Sequence, residues 1–191
     1  MMINRPMMIE QGRPSQTALT ERPEKEIRCY DYLDALNIKY ERTDHPNVPG
    51  NTMEICKEID AILGAMVGKN LFLTNRQHSR FYLLIMPGDK VFKTKELSAQ
   101  IQSSRLSFGS ADEMEKLLDC NPGSASLLGL MNDTEGKVQL LVDEDILKSE
   151  FFGCHPCINT TSLKMRTADA FETFLHAVQH SMQIVHLDGA A

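Results

Sequence analysis

The chain has 191 residues, of which 42% are hydrophobic and 24% charged, which is the composition of a globular protein with about one ordinary domain. The net charge of −6 excludes a generally basic nucleic-acid binder, and no apolar run reaches the ~18 residues of a membrane-spanning helix. Five cysteines are an odd count for a disulfide framework, and the N-terminus lacks the apolar core of a secretory signal, so reduced thiols in a cytoplasm are expected.

The first half of the chain has apolar residues at helical and strand-like spacing, behind a segment that has neither. Residues 1–21 mix Met, Arg, Pro, Gln and Ser and are predicted to form a flexible leader. Thr52 is the predicted N-cap of a helix. The predicted elements are a helix over 24–36, a strand over 38–43, a loop over 44–51, a second helix over 52–62, and a β-hairpin formed by 67–74 and 80–86.

The second half is predicted to mix short helices with extended segments. Ser110 and Glu113 have the spacing of a capping box, which predicts that a helix begins there and ends near Leu118. The other predicted elements are a helix over 94–102, an extended segment over 106–108, and a second hairpin formed by 124–131 and 137–143. They are followed by a helical turn over 145–150, extended segments over 151–154 and 158–165, and a last helix over 167–178.

Helices and hairpins are therefore intermixed, without the regular strand–helix alternation of a doubly wound sheet. We predict an α+β fold with a mixed, mostly antiparallel β-sheet and flanking helices. One domain is expected over 22–180, followed by a C-terminal tail over 181–191.

Cations are concentrated between Lys69 and Arg105. That segment holds seven Lys and Arg residues against two Asp and Glu residues. A basic face on an otherwise acidic chain suits a polyanion that is bound at one place. A solvated hairpin with ordinary lysines is the alternative interpretation.

The segment Gly153-Cys154-His155-Pro156-Cys157 supports three interpretations. It is a redox Cys-x-x-Cys, or half of a zinc site, or a turn that holds His155 for polar contact with a substrate. The residues after Cys157 are β-branched and polar and do not predict the helix that a thioredoxin-type motif requires. Two small buried thiols that flank a turn are the simplest role for the cysteines themselves.

Two further segments are suited to a small ligand. Lys69 begins a predicted buried strand. Its side chain either reaches back to solvent, or places its ammonium in a cleft, where the charge can bind a phosphate or polarise a carbonyl. Asn70 beside it could supply an amide donor or acceptor. The small-residue loop 122–126 exposes backbone N–H and C=O groups, although an ordinary turn has the same composition.

Taken in order, these motifs resemble the YbaK/ProX prolyl-tRNA editing family, in particular its free-standing Ala-tRNA(Pro) deacylase branch. The matching segments run from about residue 25 to 180 and cover most of the chain. They are Asp44-His45-Pro46, Thr52-Met53-Glu54, Gly68-Lys69-Asn70-Leu71-Phe72-Leu73, Ser104-Arg105-Leu106-Ser107-Phe108, Pro122-Gly123-Ser124, Gly129-Leu130-Met131-Asn132-Asp133 with Gly136-Lys137-Val138, Val142-Asp143-Glu144-Asp145, and His155-Pro156 with Asn159-Thr160.

The resemblance implies hydrolysis of a mischarged aminoacyl ester on tRNA(Pro), with Ala-tRNA(Pro) as the first candidate substrate. It implies tRNA as the partner, no metal and no other cofactor, and no membrane. It also implies catalytic roles for Lys69, Asn70 and His155, with Lys69 contacting the terminal nucleotide or the aminoacyl group. Because an aminoacyl ester is already activated, positioning and charge stabilisation can suffice without a covalent nucleophile.

The family's Gly-x-x-x-Pro loop, which lies against the aminoacyl group, corresponds here to a segment that ends in leucine. The substrate-binding residues that the resemblance implies are Gly123, Ser124, Ala125, Ser126 and Leu127, together with Gly153 and Thr52. Two alternatives remain open. The first is a non-catalytic relative that binds aminoacyl-tRNA or an amino acid, which the leucine in place of proline supports. The second is a thiol oxidoreductase that uses Cys154 and Cys157.

Overall fold

The computed structural model describes residues 7–46 and 53–189. Nine strands are described, and they form two sheets. The strands are β1 (Ile9–Gln11), β2 (Tyr40–Asp44), β3 (Lys69–Asn75), β4 (Phe81–Met86), β5 (Leu106–Phe108), β6 (Val138–Asp143), β7 (Phe151–Cys154), β8 (Thr161–Arg166) and β9 (Met182–Val185).

The helices are short and lie around the two sheets. They are α1 (Gln16–Leu19), α2 (Glu24–Ala35), α3 (Met53–Leu63), α4 (Thr94–Gln100), α5 (Ala111–Leu118) and α6 (Leu175–Ala177). Two 3₁₀ segments lie at Leu127–Asn132 and Ile146–Lys148, and a π-helical segment, Asp169–Phe174, leads into α6. In the described part of the chain, no helix has both the length and the apolar character needed to span a bilayer.

The first sheet has the strand order β1-β2-β8-β7, and all its neighbours are antiparallel. The second sheet has the order β5-β3-β4-β6-β9. In it, β3 pairs antiparallel with β4 and β5, whereas β6 pairs parallel with β4 and β9. The predicted α+β class with a mixed, mostly antiparallel sheet is confirmed, although the strands divide between two sheets.

Alternation along β3 separates two hydrophobic clusters. Phe72 packs into the main core, together with Leu83 and Leu163, while Leu73 packs into a smaller cluster with Leu97. Successive side chains of a strand point to opposite faces, so Asn70 shares a face with Phe72, and Lys69 shares the other face with Leu73. The start of β3 therefore presents one polar group to each side of the sheet.

Several predicted elements are confirmed. Helix α2, the β3–β4 hairpin and the capping box at α5 lie where the sequence places them. The capping box is complete, since the Ser110 hydroxyl accepts from the Glu113 backbone N–H and the Glu113 carboxylate accepts from the Ser110 N–H.

The second predicted hairpin, over 124–131 and 137–143, is wrong. Leu127–Asn132 forms a 3₁₀ segment, and β6 pairs with β4 and β9 instead. The Ser126 hydroxyl accepts from the Leu128 N–H and starts that segment. The leucines of this segment are all buried, and such a run of apolar residues fits a buried turn as well as a buried strand.

The sheets extend beyond both predicted domain boundaries. Within the predicted leader, β1 pairs with β2 and Leu19 is buried. Within the predicted tail, β9 pairs with β6. Both terminal segments therefore complete the sheets where they are described.

Candidate functional site

A cavity of about 460 Å³ lies where the start of β3, helix α3 and the segment around His155 meet. It is referred to below as the cleft. Its lining residues come from distant parts of the sequence. They are His45, Pro46, Ile55, Cys56, Lys57, Ile59, Asp60, Met66, Val67, Gly68, Lys69, Asn70, Leu71, Gly88, Asp89, Gly123, Ala125, His155, Asn159 and Ser162.

The cleft brings together Lys69, Asn70 and His155, the three residues for which catalytic roles are expected. It also includes Gly123 and Ala125 from the small-residue loop. Lys69 and His155, which are 86 positions apart in the sequence, thus line one cavity.

Backbone contacts fix the first two of these side chains. The Lys69 ammonium donates to the Lys90 carbonyl at 2.7 Å, and the Asn70 Nδ2 donates to the Gly68 carbonyl at 2.9 Å. Gly68 has no room for a Cβ, which would collide with the Met86 carbonyl oxygen. The strand therefore enters the sheet close to β4, and the two residues that begin it, Lys69 and Asn70, both line the cleft.

Asn70 carries a buried acceptor without a partner. Its Oδ1 has no hydrogen bond to any described residue, although the amide lines the cavity. A buried polar atom without a partner carries a desolvation penalty. A ligand N–H or O–H in the cleft would remove that penalty.

His155 is held as a neutral imidazole. Its Nδ1 lies 3.0 Å from the Thr161 carbonyl oxygen, which can only accept, so the proton is on Nδ1 and Nε2 is the acceptor nitrogen. Burial lowers the pKa of His155 to about 4, although the bond to Thr161 acts in the opposite direction. At neutral pH the ring can accept a proton or a hydrogen bond but carries no charge.

A second histidine is connected to the first through a hydroxyl. Ser162 Oγ lies 3.0 Å from His45 Nε2 and 3.4 Å from His155 Nδ1. His45 Nδ1 is 3.3 Å from the Pro46 carbonyl, which places its proton on that nitrogen. Ser162 therefore donates to His45 and can accept from His155, and burial lowers the pKa of His45 as well.

An ionic network holds Thr161, the backbone partner of His155. The Thr161 hydroxyl donates to the Asp44 carboxylate at 2.9 Å, and Arg22 contacts both of these side chains. Burial raises the pKa of Asp44, but hydrogen bonds from Arg22 and Arg42 outweigh that effect and lower it to about 2. The carboxylate is thus ionised at neutral pH and fixes the strand end that orients the imidazole.

The small-residue loop contributes its backbone to the cleft. Gly123 has φ +89°, a left-handed conformation that favours glycine. Ser124 is buried and its hydroxyl bonds to the backbone of Asn121. The Ser126 hydroxyl donates to the His155 carbonyl at 2.5 Å and ties the loop to the His155 turn.

Four other predicted substrate-binding residues, Ser124, Ser126, Leu127 and Gly153, are not among the described residues that line the cleft. Leu127 is fully buried in the main core, behind the loop. Gly153 donates its N–H to the Met66 carbonyl, and a Cβ there would collide with Val67, so this glycine allows two backbone segments to approach. Thr52 lies outside the described residues.

The paired cysteines lie behind His155 in the core. Burial raises the pKa of Cys154 to about 12. Cys157 Sγ lies 3.7 Å from Cys29 Sγ, and both side chains are fully buried. A thiol that is both inaccessible and hard to ionise is a poor nucleophile, which disfavours the oxidoreductase alternative. Within 7–46 and 53–189, no group of three or more His, Cys, Asp or Glu side chains is placed to hold a metal ion.

The basic segment does not form one continuous face. Lys90 forms an ion pair with the fully buried Asp143, with its Nζ 2.9 Å from Oδ1 of that carboxylate. Lys69, Lys93 and Lys95 line a second groove beside the cleft. Arg80 lies at the opposite end of the hairpin, where β4 begins. Within the predicted basic segment, Lys69, Lys93 and Lys95 therefore form a local group, whereas the charge of Lys90 is balanced by Asp143.

The sequence motifs gave no role to two residues that support the site. His45 belongs to one of the matching segments, but nothing in its spacing indicated a partner 117 residues away. Ser162 lies inside an extended segment and resembles any other strand serine. Their connection to His155 depends on the pairing of β2 with β8, which sequence spacing does not show.

A family model for the aminoacyl-tRNA editing domain matches residues 49–173. The prolyl-tRNA editing protein ProX of Acetoanaerobium sticklandii is 30% identical over 137 residues, 72% of this chain and 82% of that protein. Prolyl-tRNA synthetase associated domain-containing protein 1 of Xenopus laevis is 30% identical over 161 residues, 82% of this chain and 94% of that protein. A crystal structure described as that of a candidate trans-editing enzyme for prolyl tRNA synthetase superposes on this chain with a TM-score of 0.64 at 16% identity. The match covers 87% of this chain and 98% of that one, so the two proteins share a fold.

Proposed function

Because this chain belongs to the aminoacyl-tRNA editing domain family, we propose that it is a trans-editing hydrolase that deacylates mischarged tRNA(Pro), with Ala-tRNA(Pro) as its substrate. The observation that carries this proposal is the convergence of Lys69, Asn70 and His155 on one cleft. Relatives named for prolyl-tRNA editing support the choice of tRNA. The reaction adds water to the ester carbonyl, breaks the bond to the ribose oxygen, and yields alanine and free tRNA.

Lys69 supplies the positive charge in this mechanism. Among the described residues its ammonium donates to one carbonyl, that of Lys90, which leaves two further protons to donate to a ligand. One of them can bind an oxygen of the terminal nucleotide or the ester carbonyl. Charge that is already fixed in place before the reaction stabilises the developing oxyanion without reorganisation in the transition state.

Asn70 and His155 orient the reacting groups. The unpartnered Oδ1 of Asn70 can accept from the substrate's amino group or from a ribose hydroxyl. The Nε2 of neutral His155 can accept from the attacking water or from a ribose hydroxyl beside it. The leaving ribose oxygen then receives a proton, which returns the imidazole to its starting state. No metal ion is part of this proposal.

Selection against proline must come from the local wall of the cleft. The cavity volume of about 460 Å³ lies within the range of roughly 300–1,000 Å³ for small-ligand sites, so total volume does not separate alanine from proline. The candidate wall is the backbone of Gly123 and the side chain of Ala125. A rigid wall can reject a larger group strongly, whereas the extra contact of one methylene favours it only weakly.

A non-catalytic relative that binds charged tRNA is the second candidate. Its support is that Leu127 replaces the family's proline and that its side chain lies in the core. In that case the Lys90 carbonyl would keep the Lys69 ammonium and the cleft would hold the ester without hydrolysis.

The test is deacylation of Ala-tRNA(Pro) and of Pro-tRNA(Pro) by the wild type, by Lys69→Ala and by a matched control, Lys116→Ala. Lys116 is an exposed lysine on α5, and it does not line the cleft. We expect the wild type and Lys116→Ala to release alanine at equal rates with and without a chelator, and to leave Pro-tRNA(Pro) intact. The rate of Lys69→Ala should be at least about 100-fold lower.

Equal rates for all three proteins, or no deacylation by the wild type, would overturn the proposal. Tight binding of Ala-tRNA(Pro) without release of alanine would support the non-catalytic candidate instead.

A further inference from the structure

A second, open groove lies next to the cleft, on the face of β3 that carries Lys69. Its volume is about 690 Å³. Two aromatic residues and three lysines are among the residues that line it. The full set is Lys69, Leu71, Phe92, Lys93, Thr94, Lys95 and Phe108.

Phe108 is unusually exposed for an aromatic residue in a strand. It lies on the edge strand β5, opposite Leu73 of β3, and is 63% exposed. Its ring packs edge to face against Phe92, with the ring centres 6.3 Å apart. A single exposed apolar side chain is common, but this ring lies in a groove beside a second ring and three lysines, where it can face a ligand.

The groove and the cleft share Lys69 and Leu71. A ligand whose end enters the cleft can therefore continue past Lys69 directly onto the groove. Lys93 and Lys95 are both exposed along that path. The surface combines aromatic faces for stacking with ammonium groups for phosphates, the combination that single-stranded nucleic acid requires.

We propose that Phe108, supported by Phe92, is a stacking platform for the unpaired nucleotides at the 3′ end of the substrate tRNA, with Lys93 and Lys95 binding their phosphates. This inference rests on the proposed function and extends it, because it says how the strand that carries the ester is held. The exposed ring stacks on a base, and the phosphates on either side of that base lie within reach of the lysines. Duplex RNA presents no free base faces and would not use the ring.

The direct test is binding of a labelled, uncharged RNA hexamer that ends in CCA, compared with a short RNA duplex. We expect Phe108→Ala to weaken hexamer binding about tenfold, the usual loss for one base stack, and Phe108→Trp to retain it. Phe151→Ala is the matched control, since Phe151 is another exposed aromatic, at 36%, and does not line the groove. Lys93→Ala and Lys95→Ala should each reduce the salt dependence of hexamer binding by about one phosphate contact.

The second readout is deacylation of full-length Ala-tRNA(Pro), in which Phe108→Ala should raise KM about tenfold and Phe151→Ala should match the wild type. If the wild type deacylates but Phe108→Ala has the wild-type KM and hexamer affinity, the platform is overturned and the proposed function stands. If the hexamer binds through Phe108 but no alanine is released, the platform stands and the proposed function fails. Absent hexamer binding, or equal binding of duplex and hexamer, would also overturn the platform.

Discussion

The cleft and the groove share Lys69 but differ in how their side chains are held. In the cleft, the backbone fixes Lys69, Asn70 and His155 through the carbonyls of Lys90, Gly68 and Thr161. In the groove, the working side chains are exposed. Chemistry requires groups that are preorganised around the reacting atoms, whereas capture of a flexible strand tolerates mobile side chains. Substitutions in the cleft should therefore change turnover, and substitutions in the groove should change affinity.

The largest effect that separates the two regions is expected from Asn70→Ala. Losing its hydrogen bond to the substrate should lower kcat/KM by about tenfold or more. The free energy of unfolding should change by less than about 1 kcal/mol, because the lost bond to Gly68 is offset by removal of the buried, unpartnered Oδ1. Deacylation kinetics and urea unfolding measure the two quantities.

Asn75→Ala is the control for this prediction. Asn75 accepts from the N–H groups of Ser79 and Arg80 in the β3–β4 turn, at 2.9 and 3.1 Å. It should lose stability and keep its kcat/KM. If Asn70→Ala instead loses stability in step with activity, Asn70 is a structural residue and the distinction between cleft and groove weakens.

A smaller effect is expected from Ser162→Ala, which removes the hydroxyl between His45 and His155. His155 keeps its bond to Thr161, so kcat should fall only about threefold to tenfold and KM should stay constant. The control is Thr167→Ala, which removes another buried hydroxyl, one that donates to the Ser149 carbonyl. A rise in KM with unchanged kcat would place Ser162 in binding and not in orientation.

A third effect concerns the pH dependence of stability and not turnover. Burial holds the folded pKa of His155 at about 4, against an ordinary value of 6.5. Between these two pKa values the imidazole binds a proton in the unfolded chain but not in the folded chain. The free energy of unfolding should therefore rise with pH in this window, and the contribution of His155 should be constant above the unfolded pKa. The lowered pKa of His45 adds a contribution of the same sign.

Urea unfolding between pH 4 and 7 measures this slope. His155→Asn should make the rise shallower, because it removes one of the two contributions. His176 is an exposed histidine on α6, and His176→Asn should keep the wild-type slope. An unchanged slope in His155→Asn would mean that the imidazole is not held neutral by burial in the cleft.

Local signals in the sequence predicted much of the fold. The spacing of Ser110 and Glu113 identified the start of α5, and alternation with a polar turn identified the β3–β4 hairpin. Both depend on residues that are close in the chain. The motif order also selected Lys69 and His155 as partners, which periodicity alone could not have done.

The features that the sequence did not predict depend on contacts between distant segments. The parallel pairing of β6 with β4 and β9 leaves no turn signal. Lys90 is paired with Asp143, 53 residues away, so counting charges overstated the basic face. Phe108 has the composition of an ordinary strand residue, and only its position on an edge strand exposes its ring.

The central claim is that Lys69 and His155 act on the same reacting group, and a double-mutant cycle tests it most directly. The values of kcat/KM for Ala-tRNA(Pro) are compared for the wild type, Lys69→Ala, His155→Ala and the double variant. We predict that the double variant loses much less than the product of the two single losses, because either substitution alone disables the same step. Losses that multiply would show that the two side chains act independently and would contradict the account.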